Sequence, residues 1–112
     1  MANVRKNKDF NPNNCPVTHV LNRIGGKWKP LIMYAISKNC NRLSLLQKAL
    51  PVVSKQMLVN SLKELEEDKI VKKNIYAEMP PRVEYTMTEY GLSLMPILQV
   101  MQDWGINDLK KQ

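Results

Sequence analysis

The chain has 112 residues, 44% hydrophobic and 24% charged, which suits one compact domain and argues against wholesale disorder. Seventeen Lys and Arg against ten Asp and Glu leave a net charge of +7, so a polyanionic partner is expected. No apolar run is long enough to cross a membrane and the first residues lack an apolar stretch, so neither a transmembrane span nor a cleaved signal peptide is expected and the chain reads as cytoplasmic.

Residues 1–14 are polar and Asn-rich and read as a flexible N-terminal arm. Cys15–Pro16 looks like a helix start, since proline is favoured in the first turn. Val17, Val20, Leu21 and Ile24 then recur at helical spacing, and Gly25–Gly26 should end that helix. Trp28 opens a second, largely buried segment running to about Lys38, followed by a turn over Asn39–Arg42. A short third helix fits Ser44–Leu50, with Ser44 as N-cap, and Pro51–Val53 breaks it. Ser54 is an equally good cap for a fourth helix reaching about Asp68. Two short helices joined by about three residues make a helix-turn-helix signal.

After Lys69 the period changes. Ile70, Val71, Ile75, Tyr76 and Ala77 read as one strand, and Val83, Tyr85 and Met87 alternate with Glu84 and Thr86 as a second. Glu78–Arg82 joins them as the tip of a hairpin. Thr88 caps a last helix that carries Pro96 inside it, where the missing N–H should kink the rod or break a backbone hydrogen bond. The order predicts an α+β fold, a winged helix-turn-helix with a two-stranded β-hairpin wing and extra helices at both ends. The domain spans 15–106, with a C-terminal tail over 107–112.

Charge is unevenly spread. No acid occurs between Asp9 and Glu64, while Arg23, Lys27, Lys29, Lys38, Arg42, Lys48, Lys55 and Lys63 all do. A contiguous basic face for phosphate is expected. Within the fourth helix, Leu62 and Leu65 fall within about 40° of Leu58 at 100° per residue, a buried stripe. Gln56, Asn60 and Lys63 lie opposite, where a major groove would meet them. Gln and Asn suit adenine, and Lys suits guanine or phosphate. Ser54 and Lys55 sit at the helix N-terminus, which favours a phosphate. Arg82 follows two prolines at the hairpin tip and suits a narrow minor groove. Lys72 and Lys73 read equally as phosphate contacts or as edge lysines that prevent aggregation.

Two cysteines, Cys15 and Cys40, make no disulfide framework, and there is no CxxC. The single histidine, His19, leaves few options for a zinc site or a Cys–His pair and reads as a surface or interface residue. No glycine sits in a phosphate-cradling loop. No metal site and no cofactor are expected, and the composition argues against an enzyme.

The segments CPVTHVLNRIGGKWKPLIMYAI, RLSLLQKALPVVSKQMLVNSLKELEEDKIV, EMPPRVEYTMTEYGLSLMPIL and MQDWG together resemble HxlR-type regulators, relatives of the MarR-type winged-helix repressors, over Cys15 to Gly105. The resemblance implies a sequence-specific, homodimeric transcriptional regulator on double-stranded DNA with a pseudo-palindromic operator. It places the dimer interface near Val17–Ile24 and Leu94–Trp104. The last helix supports this independently, since Met95, Ile97, Leu98, Val100, Met101, Trp104 and Ile106 exceed what one buried face needs. The resemblance also marks Cys15 as a candidate redox or electrophile sensor, against the alternative of a silent cysteine; a helix N-terminus and nearby cations lower a thiol pKa. Cys40, in a turn, is the weaker candidate. The alternative to DNA binding is a winged-helix protein-interaction module, which failure to shift any duplex at low salt would favour.

Overall fold

The computed structural model describes residues 15–111; the expected arm over 1–14 lies outside them. Helix α1 (Pro16–Ile24) starts where the sequence places it, with Cys15 as an extended N-cap and Pro16 in the first turn. It stops at Gly25, and Gly26 takes the left-handed conformation, φ 83°, that turns the chain toward α2 (Lys29–Ser37). Ile32, Met33, Ala35 and Ile36 of α2 are buried at the centre of the molecule. Its end is a Schellman turn: Asn39 at φ 71°, the Cys40 N–H donating to Ala35 O and the Asn39 N–H to Ile36 O, each at 3.0 Å.

Helix α3 (Leu43–Ala49) starts two residues earlier than its best capping residue would have it. Arg42, not Ser44, is the N-cap: its carbonyl accepts from the Leu46 N–H at 2.9 Å, and no side chain caps the end. The physical reason is apolar. Starting at Leu43 packs that side chain against the core and buries Leu46 completely, which outweighs one hydroxyl–amide bond. Ser44 is left exposed inside the helix. The break at Pro51 stands, and Val53 plugs the core from within the turn.

Helix α4 (Lys55–Glu67) has the expected cap, the Ser54 Oγ accepting from the Met57 N–H at 3.1 Å. Leu58, Leu62 and Leu65 are buried as the 100° projection requires, together with Ser61. A second Schellman turn ends it, this time on a non-glycine: Lys69 has φ 62°, with the Ile70 N–H on Leu65 O at 2.9 Å. The strands β1 (Val71–Tyr76) and β2 (Arg82–Met87) pair antiparallel from Val71↔Met87 out to Tyr76↔Arg82. Ile70 and Ala77 fall outside the ladder. Val71 is buried whereas Ile75, on the same face of the strand, is 68% exposed, so the hairpin grows out of the core into solvent. At its base the Tyr85 N–H donates to Asn41 O at 2.8 Å, tying β2 to the turn ahead of α3.

Thr88 caps through its hydroxyl, accepting from the Gly91 N–H at 2.9 Å and donating to Lys69 O at 2.6 Å. The last helix is not one kinked rod but two: α5 (Glu89–Leu92) and α6 (Met95–Lys110). Pro96 has no N–H to give and so cannot continue the ladder of α5; it sits instead in the first turn of α6, where none is needed. Residues 107–110, expected in a tail, are helical. Leu94 and Leu98 anchor the start of α6 to the core.

Candidate nucleic-acid interface

The outer face of α4 is polar because its inner face is committed to leucine. Lys55, Gln56, Asn60 and Lys63 are all exposed. Gln56 Nε2 donates to Asn60 Oδ1 at 3.0 Å, one helical turn away. Gln56 Oε1 and Asn60 Nδ2 remain free to meet base edges. Ser54 spends an oxygen lone pair on the cap, and its O–H donor is left over. The structure therefore gathers Ser54, Lys55, Gln56, Asn60 and Lys63 along one exposed helix.

The expected basic face is thinner than the charge map suggests, because acids from the second half fold back onto it. Arg23 Nη1 lies 3.3 Å from Asp68 Oδ1, Lys29 Nζ 2.7 Å from Glu64 Oε1, and Arg42 Nη2 3.2 Å from Glu84 Oε2. Among the described residues, Lys48, Lys55 and Lys63 of the acid-free interval stay outside any ion pair, as do Lys27 and Lys38, whose ammonium groups lie over the Trp28 and Tyr34 rings. Long-range order hid this from the linear charge count.

Arg82 is the site residue that departs most from expectation. It is not a free cation at the tip but the first residue of β2. Its guanidinium stacks over the Tyr76 ring at 4.2 Å and lies 3.5 Å from Glu78 Oε1 and 3.4 Å from Glu84 Oε2. The Nε approach to Glu84 is off line, an ion pair without a hydrogen bond. The tip is apolar instead: Met79 is 98% exposed beside Pro80 and Pro81. The missed residues are Arg42 and Glu84. Their signal was available in part, since residues two apart on a strand share a face and Glu84 is two from Arg82. Lys72 and Lys73 are exposed on β1.

At the other end, α1 and α6 leave apolar surface uncovered, including Val17 (64% exposed) and Trp104 (69%). A groove of about 400 Å³ runs between them, lined by Val17, Leu21, Pro30, Ile97 and Met101. His19 is exposed on α1. Cys15 caps α1 without a side-chain cap hydrogen bond of ordinary geometry, yet the free Thr18 and Val17 amides of the first turn hold its thiol below the usual range. Cys40 packs against the core. Among the described residues no group of ligands could hold a metal ion, and no helix is long and apolar enough to cross a membrane.

Comparison with known proteins agrees with this geometry. The family described as HxlR-like helix-turn-helix matches residues 23–112. The HTH-type transcriptional regulator YdeP of Bacillus subtilis (strain 168) is 40% identical over 91 residues, 81% of this chain and 71% of that protein. The HTH-type transcriptional regulator YybR of the same organism is 40% identical over 101 residues, 90% of this chain and 81% of that one. Among solved structures, the redox regulator HypR superposes in its oxidised form with a TM-score of 0.78 at 39% identity, covering 83% of this chain and 96% of that one. Its reduced form gives 0.80 at 36%, covering 88% and 100%. With a helix-turn-helix, a wing and an exposed polar helix face in place, the chain belongs to the HxlR-like helix-turn-helix family and is a DNA-binding transcriptional regulator.

Proposed function

We propose that this regulator acts in the cytoplasm as a homodimer on a pseudo-palindromic operator, each subunit laying α4 into one of two major grooves roughly 34–36 Å apart. The observation that carries the reading is the outer face of α4, where Gln56 and Asn60 stand exposed on a helix locked from behind by Leu58, Leu62 and Leu65. Gln56 and Asn60 read adenine edges, Lys63 reaches guanine or phosphate, and Ser54 and Lys55 grip the backbone at the helix N-terminus. Most of the affinity comes from phosphate contacts and the discrimination from the base contacts. The uncovered surface of α1 and α6 supports the pairing of subunits.

Cys15 is proposed as the signal input. Its lowered thiol pKa favours the thiolate, the form that oxidants and electrophiles attack, and it caps a helix of the proposed interface. HypR, a redox regulator, supports a redox signal. The test is selection of bound duplexes from random DNA, with and without a mild oxidant, for the wild type and Cys15→Ser. Paired inverted half-sites about one DNA turn apart are expected, with binding altered by oxidant only when Cys15 is present. Enrichment of lone half-sites would refute the dimer, and an oxidant response kept in Cys15→Ser would refute the sensor.

A further inference from the structure

The outer face of the wing is organised around one carboxylate. Tyr76 stands opposite Arg82 in the ladder, and Glu84 follows on the same face two residues later. Arg82 lies over Tyr76 at 4.2 Å, with Glu78 Oε1 at 3.5 Å on one side and Glu84 Oε2 at 3.4 Å on the other. The same Glu84 oxygen receives Arg42 Nη2 at 3.2 Å, from the residue that caps α3. Arg42, Glu84, Arg82 and Glu78 thus form a chain of two cations and two anions whose formal charge is zero. The shared carboxylate is its most shielded member, 19% exposed against 45% for Arg42.

A chain of this kind has an effect on DNA binding that its charge content alone would not suggest. Arginines free to reach phosphates add affinity for every sequence alike, through counterion release. Specificity is the ratio of operator to random binding, so such contacts raise occupancy of the wrong sites. A carboxylate that engages two guanidinium groups near the duplex removes both from that sequence-blind contribution.

The geometry points to Glu84 as a specificity-determining positioning residue: it withholds Arg42 and Arg82 from the DNA backbone, leaving discrimination to α4. This rests on the reading that the wing faces DNA. The chain Arg42–Glu84 also spans α3 and β2, so the withheld cations belong to both the helix-turn-helix and the wing.

The test uses a short random-sequence duplex and fluorescence anisotropy over a salt series, with the full chain and with E84Q, R82Q and E84Q/R82Q. E84Q keeps the shape and removes the charge. E84Q is expected to bind the random duplex several-fold more tightly at low salt, with a log–log salt slope steeper by about 1–2, as one or two new phosphate contacts require. R82Q alone should leave the wild-type slope unchanged, and E84Q/R82Q should lose about one unit of the added slope. A merely structural role would move binding the other way, weakening E84Q without steepening its slope, and that result overturns the proposal. So does a slope flattened in R82Q alone, since Arg82 would then already touch phosphate. An unchanged slope in E84Q overturns the proposal as well, whereas wild-type protein that ignores the duplex at low salt would overturn the proposed docking on DNA itself.

Discussion

Gln56 and Asn60 are joined by a side-chain hydrogen bond, Nε2 to Oδ1 at 3.0 Å, along the exposed face of α4. Each amide therefore limits the rotamers of the other before any ligand arrives, and in the proposed docking the two would meet a base edge as one preorganised unit. A double-mutant cycle on the selected operator should show it. Gln56→Ala and Asn60→Ala together should cost less than the sum of the two single losses, with a coupling of at least ~0.5 kcal/mol. Additive losses would mean that the residues read independently.

Gln56→Ala should flatten base preference at its position, a loss of about 1–3 kcal/mol on the operator and little on random DNA. Lys55→Ala should weaken both duplexes alike and reduce the salt slope by about 0.9. Binding isotherms at several salt concentrations separate the two. Equal losses on both duplexes for Gln56→Ala would remove it from the reading set.

The reading face depends on what lies behind it. Leu58 is fully buried, and Leu58→Ala should cost about 2–5 kcal/mol in urea unfolding, a large share of a small domain's stability. Ser54→Ala removes a cap made at 3.1 Å and should cost about 1 kcal/mol. A Leu58→Ala loss well below that of Ser54→Ala would show that the stripe packs loosely.

Lys69 holds a left-handed conformation, φ 62°, in the turn from α4 to β1. A side chain strains that conformation and glycine does not, though glycine also frees the unfolded chain. Lys69→Gly is expected to raise unfolding stability by about 0.5–1 kcal/mol. A drop would show that the lysine side chain compensates for the strain.

Cys15 provides a pH test. The Thr18 and Val17 amides lower its thiol pKa in the folded chain. The stabilisation this brings is present above the pKa of the unfolded thiol and fades as pH falls through the lower native value. The pH midpoint of iodoacetamide labelling at Cys15, read in a Cys40→Ser background, should accordingly be lower for native protein than in urea. Coincident midpoints would remove the electrostatic basis for a sensor.

Sequence periodicity sufficed for the parts set by local rules. The leucine stripe of α4, the Ser54 and Thr88 caps, the Gly25–Gly26 stop and the alternation of β2 all follow from a few adjacent residues, and the structure has them. Where distant segments compete, periodicity misled. Ser44 lost the cap of α3 because Leu43 found a place on the core. Pro96 marked a break but not that a new helix would begin there. The free cations were overcounted because Asp68, Glu64 and Glu84 lie far along the chain from the Arg23, Lys29 and Arg42 they pair with. The partners of Arg82 were illegible for the same reason, since its stacking on Tyr76 depends on a ladder register that no local motif states.

The bond from the Tyr85 amide to the Asn41 carbonyl has a mechanical consequence. It clamps the hairpin to the turn that launches α3, and a short turn joins α3 to α4, so the wing and the helix-turn-helix are tied together at that point. In the proposed homodimer, a message that begins at the far end of the molecule would then act as callipers do, by changing the gap and tilt between two jaws more than the shape of either.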